Sequence, residues 1–185
     1  MKKGIICVLI AVSLMTGCGR RVNHIEQGTQ QLESQQYTDA VASFSQSLEE
    51  KEDVPEAYRG LGMAYFEQQD YEAARDAFQK VIENEGEADA ILYSFIGACS
   101  MQLDDIKGAL DAFEKGIALA AEADGKKKED EPDYSRAVQE MKFNQIVCYE
   151  KELDWETARD KAEAYVKEYP DDQAAQKEVE FLKTR

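Results

Sequence analysis

The chain has 185 residues and a formal charge of −16, from 38 acidic against 22 basic side chains. One domain is the default at this length. A body this acidic repels nucleic acid and anionic lipid, which argues against a DNA or RNA partner and against a membrane attachment held by charge.

The N-terminus is basic and then apolar. Lys2 and Lys3 precede an almost unbroken apolar run from Gly4 to Met15. That run is too short to span a bilayer, which takes roughly 20 apolar residues. It suits the apolar region of an export signal followed by small residues at a cleavage point. Leu14-Met15-Thr16-Gly17-Cys18 resembles the lipobox of bacterial lipoproteins, with Met15 where that family usually has leucine. The resemblance implies that residues 1–17 are removed and that Cys18 carries a thioether-linked diacylglyceryl group. Residues 18–20 then form a short tether on the extracytoplasmic side of a cell membrane. Two acyl chains anchor stably where one is marginal. The alternative is a plain secretory signal cleaved near Gly17, which leaves a free thiol. Losing Lys2 and Lys3 takes the charge to −18, so the lipid must do the holding. Arg20 and Arg21 adjoin the anchor, where an anionic surface attracts each by about 1 kcal/mol; a solvated tether is the plainer reading. Gly19 supplies no retention signal of the aspartate type.

Beyond the tether the chain repeats itself. Gly28, Gly62 and Gly97 recur at steps of 34 and 35, as do Tyr37, Tyr71 and Ile106, Ala40, Ala74 and Ala109, and Phe44, Phe78 and Phe113. After a longer step of 49, Ile146, Trp155, Ala158 and Ala162 take the corresponding places. Tyr58, Leu61, Gly62 and Tyr65 form one helical stripe, and Ala74, Phe78, Val81 and Ile82 form the inward stripe of a second helix. Gln69-Asp70 makes the turn between them. This pattern resembles the tetratricopeptide repeat. The resemblance implies an all-α, right-handed superhelical solenoid of about four helix-turn-helix repeats at 21–54, 55–88, 90–123 and 139–172. A capping helix follows at 173–185, where Ala175, Val179 and Leu182 share one face. A lone hairpin cannot bury its apolar side, but stacked copies can. Pro55, Pro132 and Pro170 are expected between helices.

The long step contains a charged insertion over 124–138, with Lys126-Lys127-Lys128 and Glu129-Asp130-Glu131 in it. It reads as a solvated loop, after which Asp133 is expected to cap an early-starting, longer helix. Of the four cysteines, Cys7 leaves with the signal and Cys18 goes to lipid. Cys99 and Cys148 remain, at a small, buried position of the repeat. First helices of neighbouring repeats lie about 8–10 Å apart, whereas a disulfide needs Cα atoms within about 7 Å, so both are expected as free thiols. The single histidine, His24, has no ligand-spaced partner. No phosphate loop or nucleophile motif is present. The chain is read as non-enzymatic, without cofactor or metal.

In the resembled family the first helix of each hairpin lines an inner surface that commonly binds peptides or helices. The positions facing inward there include Ile25, Leu32, Arg59, Met63, Phe66, Ile91, Met101, Phe143 and Val147. The Lys/Asn/Arg clamp of chaperone-binding members is missing, since Ile25, Thr29, Gly60, Ile91 and Phe95 occupy those places. The remaining band is apolar, with Met63, Phe66 and Met101 expected at its exposed centre. Flexible methionines and aromatics suit an amphipathic helix laid in a groove; the competing reading makes several of them core between repeats. The expected role is a membrane-anchored scaffold for a protein or peptide partner of the cell envelope. Assembly of outer-membrane, pilus or secretion components is one alternative. A small-ligand-binding lipoprotein of a transporter is another, though it lacks the two α/β lobes of that class.

Overall fold

Nine α-helices and no strand are formed by the described residues, 23–125 and 132–185, of the computed structural model. They are α1 (His24–Glu33), α2 (Tyr37–Glu49), α3 (Val54–Glu67), α4 (Tyr71–Glu83), α5 (Ala90–Gln102), α6 (Ile106–Asp124), α7 (Ser135–Lys151), α8 (Trp155–Glu168) and α9 (Gln173–Leu182). Short acidic and amide side chains start most of them. The carboxylates of Asp53, Asp70, Asp89, Asp105, Asp154 and Asp172, and the amide oxygen of Asn23, each accept from a backbone N–H in the first turn that follows. Such a cap contributes about 1 kcal/mol and places negative charge at the positive helix end. Part of the acidic excess is therefore structural.

The turns inside the hairpins share one backbone shape. Gln35, Gln69, Asp104 and Leu153 are left-handed, with φ between 59° and 63°. The next residue's N–H closes back five residues, as in Asp70 N to Tyr65 O at 2.9 Å and Asp154 N to Tyr149 O at 2.9 Å. This bond satisfies a carbonyl at the end of the first helix, while the same residue caps the second.

Hairpins α1/α2, α3/α4, α5/α6 and α7/α8 stack in order, and α9 lies on α8. Each of the first three hairpins closes on a glycine set against a phenylalanine ring. A Cβ at Gly28 would stand 2.7 Å from Phe44, one at Gly62 2.5 Å from Phe78, and one at Gly97 2.3 Å from Phe113. Glycine in mid-helix costs about 1 kcal/mol relative to alanine; here it is what lets the phenylalanine ring lie against the opposing backbone. The fourth hairpin inverts the sizes: Ile146 and Ala162 are both fully buried in one cluster. The bulk has moved from the second helix to the first. Ala175, Val179 and Leu182 of α9 bury against that same cluster and close the stack.

Three expectations are corrected. Pro55 is not between helices but in the first turn of α3, where its missing N–H leaves no bond unmade. Ile82 is 37% exposed rather than inward-facing. Asp133 does not cap α7; Tyr134 holds that position, and Asp133 instead accepts from Ser135 N at 3.0 Å. Helix α7 does start early and has 17 residues, and α6 has 19 against 13 for α2 and α4. Residues 126–131 of the charged insertion lie outside the described residues, as do Cys18 and the tether after it.

Candidate functional site

The first helices α1, α3, α5 and α7 form one side of the stack, with α1 against α3 and α5 against α7. Along it, Met63 and Ile91 are the open apolar side chains, 40% and 39% exposed. Ile25 and Leu32 are half-buried against the cluster around Phe44. Met101 is half-buried against the cluster around Phe113 and Met141. Phe143 packs edge-on to Tyr165, with centroids 5.7 Å apart.

Phe66 is not at an exposed centre. Its ring meets Tyr71 at 5.6 Å and Phe95 at 5.2 Å, both edge-to-face, and Phe95 in turn stacks on Phe78 at 5.2 Å. Such pairs contribute about 0.5–1.5 kcal/mol each beyond the area they bury. Phe95 stands one repeat after Gly60, so repeat 3 puts a ring where repeat 2 has none. That substitution, readable when the repeats are aligned, is the signal that leaves Phe66 half-buried against the next repeat. Of the expected centre of Met63, Phe66 and Met101, Met63 alone is exposed, and Ile91 joins it as an exposed apolar residue.

The cations of this side are already engaged. Arg59 Nη2 donates to the Glu87 carbonyl at 2.6 Å, with Asp89 at 3.6 Å and Glu56 at 3.7 Å. Lys151 pairs with Asp104 at 3.2 Å. Arg59 thus ties α3 to the connection ahead of α5 rather than offering a free guanidinium. His24 is buried, with Nε2 3.4 Å from Glu50. Among the described residues no group of three metal-ligating side chains comes together, and no helix is long and apolar enough to cross a membrane.

Cys99 and Cys148 are free and buried, in different clusters. Burial pushes the Cys99 thiol up to about 12 and the Cys148 thiol up to about 11. Since the thiolate is the reactive form, both should be silent to a thiol-specific disulfide reagent at pH 8 in the folded protein. Both should react in denaturant, equally with and without prior reduction.

Two family models described as tetratricopeptide repeat match residues 25–90 and 141–172. The chain carries tetratricopeptide repeats. No curated protein sequence matches it. Among solved structures, the repeat solenoid is similar to YrrB, described as a tetratricopeptide repeat protein with an unusual peptide-binding site. The identity is 19% and the TM-score 0.69, over 86% of this chain and 74% of that one. It is also similar to MamA, at 15% identity and TM-score 0.71, over 86% and 78%. A repeat protein from Parabacteroides merdae matches at 14% and 0.64, over 86% and 56%. Identities this low establish the shared repeat fold.

Proposed function

We propose that this repeat solenoid is a non-enzymatic, lipid-anchored scaffold on the extracytoplasmic side of a membrane. Its first-helix face binds a helix or extended peptide of an envelope protein. The observation that carries the binding half is the exposure of two large apolar side chains, Met63 and Ile91, on the consecutive first helices α3 and α5. Flexible methionine and branched apolar side chains on one helix layer suit the apolar face of a bound helix. The peptide-binding description of YrrB supports the same reading by analogy of fold. The lipobox resemblance around Cys18 supports the anchor, and the short tether sets the solenoid close to the bilayer.

Capture of crosslinked partners from intact membranes tests both halves together. Met63→Gln with Ile91→Gln should cut partner recovery at least tenfold with only a small fall in the thermal melt, because both side chains are about two-fifths exposed, at 40% and 39%. Phe66→Asp is unsuitable, since it would break the ring cluster. Intact mass of the captured protein should begin at a diacylated Cys18. Unchanged recovery rejects the binding face; an unmodified N-terminus rejects the anchor.

A further inference from the structure

The opposite side of the stack carries a second feature, between the second helices of the last two hairpins. The six residues by which α6 outruns α2 and α4 are Leu119-Ala120-Ala121-Glu122-Ala123-Asp124, mostly small and apolar. Two adjoining cavities of about 410 Å³ and 480 Å³ lie between α6 and α8. They share Ile117, Ala121, Lys142 and Glu168, and so form one groove. Ligand pockets typically fall at about 300–1,000 Å³. Ala118, Ala121 and Ala164 leave room that larger side chains would fill.

The floor of the first cavity is polar and incompletely paired. Gln145 is 3% exposed, and its side-chain oxygen accepts from Lys161 Nζ at 3.4 Å. No acceptor among the described residues meets its amide nitrogen. Among the described residues the Lys161 ammonium has no carboxylate within 4.0 Å; besides Gln145 it faces the Tyr149 ring at 6.0 Å. By contrast Lys142 is spent on Glu168, at 2.6 and 2.7 Å to its two oxygens. Glu114 also lines the cavity and makes no ion pair among the described residues. Two side chains with donors to spare, Lys161 and Gln145, thus line a largely apolar cavity in a protein of strongly negative charge. The Gln145 amide N–H and the remaining N–H groups of Lys161 are free to donate to an acceptor that enters the cavity.

We infer that the groove between α6 and α8 binds a carboxylate carried on a short apolar body, with Lys161 and Gln145 holding the carboxylate and the alanines of α6 and α8 the body. The same chemistry is offered by a free branched-chain acid and by the last residue of a peptide.

The test uses the full-length chain in lipid nanodiscs with 13C-methyl alanine. The probes are 4-methylpentanoate, 4-methylpentanol, 4-methylpentylamine and N-acetyl-Ala-Leu. A carboxylate probe should shift the methyls of Ala118, Ala121 and Ala164 saturably, leaving Ala98 on α5 unmoved. The alcohol and the amine should bind at least tenfold more weakly. Lys161→Met should cost at least tenfold with an unchanged melt, and Glu114→Gln should tighten binding by removing the competing carboxylate. Tighter binding of N-acetyl-Ala-Leu than of the free acid assigns the site to peptide ends; the reverse assigns it to small acids. No saturable shift from either carboxylate, equal affinity for the alcohol, or shifts centred on Ala98 would overturn the inference.

Discussion

Gly97→Ile should destabilise the protein by at least about 3 kcal/mol, Phe113→Ala by about 3–5 kcal/mol, and the two together by much less than their sum. The first places a branched side chain where even a Cβ would stand 2.3 Å from the Phe113 ring. Overpacking of that kind typically costs about 1–3 kcal/mol, and more where backbone must move. The second empties a fully buried ring site and leaves a cavity. Combined, they write into repeat 3 the arrangement that repeat 4 already uses, Ile146 opposite Ala162, both fully buried. Volume is then roughly conserved across the helix pair, which is the change cores tolerate best. Urea titrations followed by circular dichroism would give the cycle. The expected coupling is about 3 kcal/mol, at the top of the range for residues in contact. Additive losses would show that repeat 4 owes its inverted pair to something outside these two positions.

That pair also marks how far the sequence could be read. The step of 34 and 35 residues, the Gly/Phe positions and the turn at Gln69-Asp70 are local and repeated, so they predict hairpins, their stacking and α9 with no knowledge of contacts. Ile146 and Ala162 are visible as departures from the repeat, but their compensation appears only when both are seen buried in one cluster. Exposure along the first helices was less legible. Whether an inward position meets water depends on what the next repeat places opposite, and Phe95 against Phe66 leaves that ring half-buried. Arg59 was lost to the face for the same reason, because Glu87 and Asp89 lie 28 and 30 residues away in the next connection. The groove behind α6 and α8 had no motif at all. It follows from how far α6 runs before the insertion, a boundary that alanine-rich sequence leaves open.

Stability should fall as pH rises from about 4.5 to about 7 and then level off, and Glu150→Gln should remove that slope. Glu150 sits in the last turn of α7, with one carboxylate oxygen sealed from water and without a hydrogen-bond donor. Burial, then the charge of Glu178 on α9 and a proton shared with it, raise Glu150 from 4.5 to about 7. Lys151, beside it in sequence, is paired with Asp104. A carboxyl raised in the folded state binds its proton more tightly there than in the unfolded chain. Its contribution is therefore complete below the unfolded value of 4.5 and lost as pH passes the folded value near 7. The raw shift corresponds to about 3 kcal/mol, but Glu150 is only partly buried, and screening by water leaves about 1–2 kcal/mol. The limb is separable from acid unfolding, because Glu168 and Asp172, both held below their ordinary values, act at lower pH and with the opposite sign. Glutamine at position 150 donates to Glu178 at every pH, so the variant should be more stable by about 1–2 kcal/mol at pH 8 and nearly unchanged at pH 4.5. Amide exchange over Ala175–Leu182 would localise the effect: faster exchange at pH 8 than at pH 5.5, corrected for intrinsic rates, in the native chain and not in Glu150→Gln. A native chain whose stability is flat between pH 4.5 and 7 would mean that Glu150 and Glu178 share no proton, and that α9 is held by Ala175, Val179 and Leu182 alone.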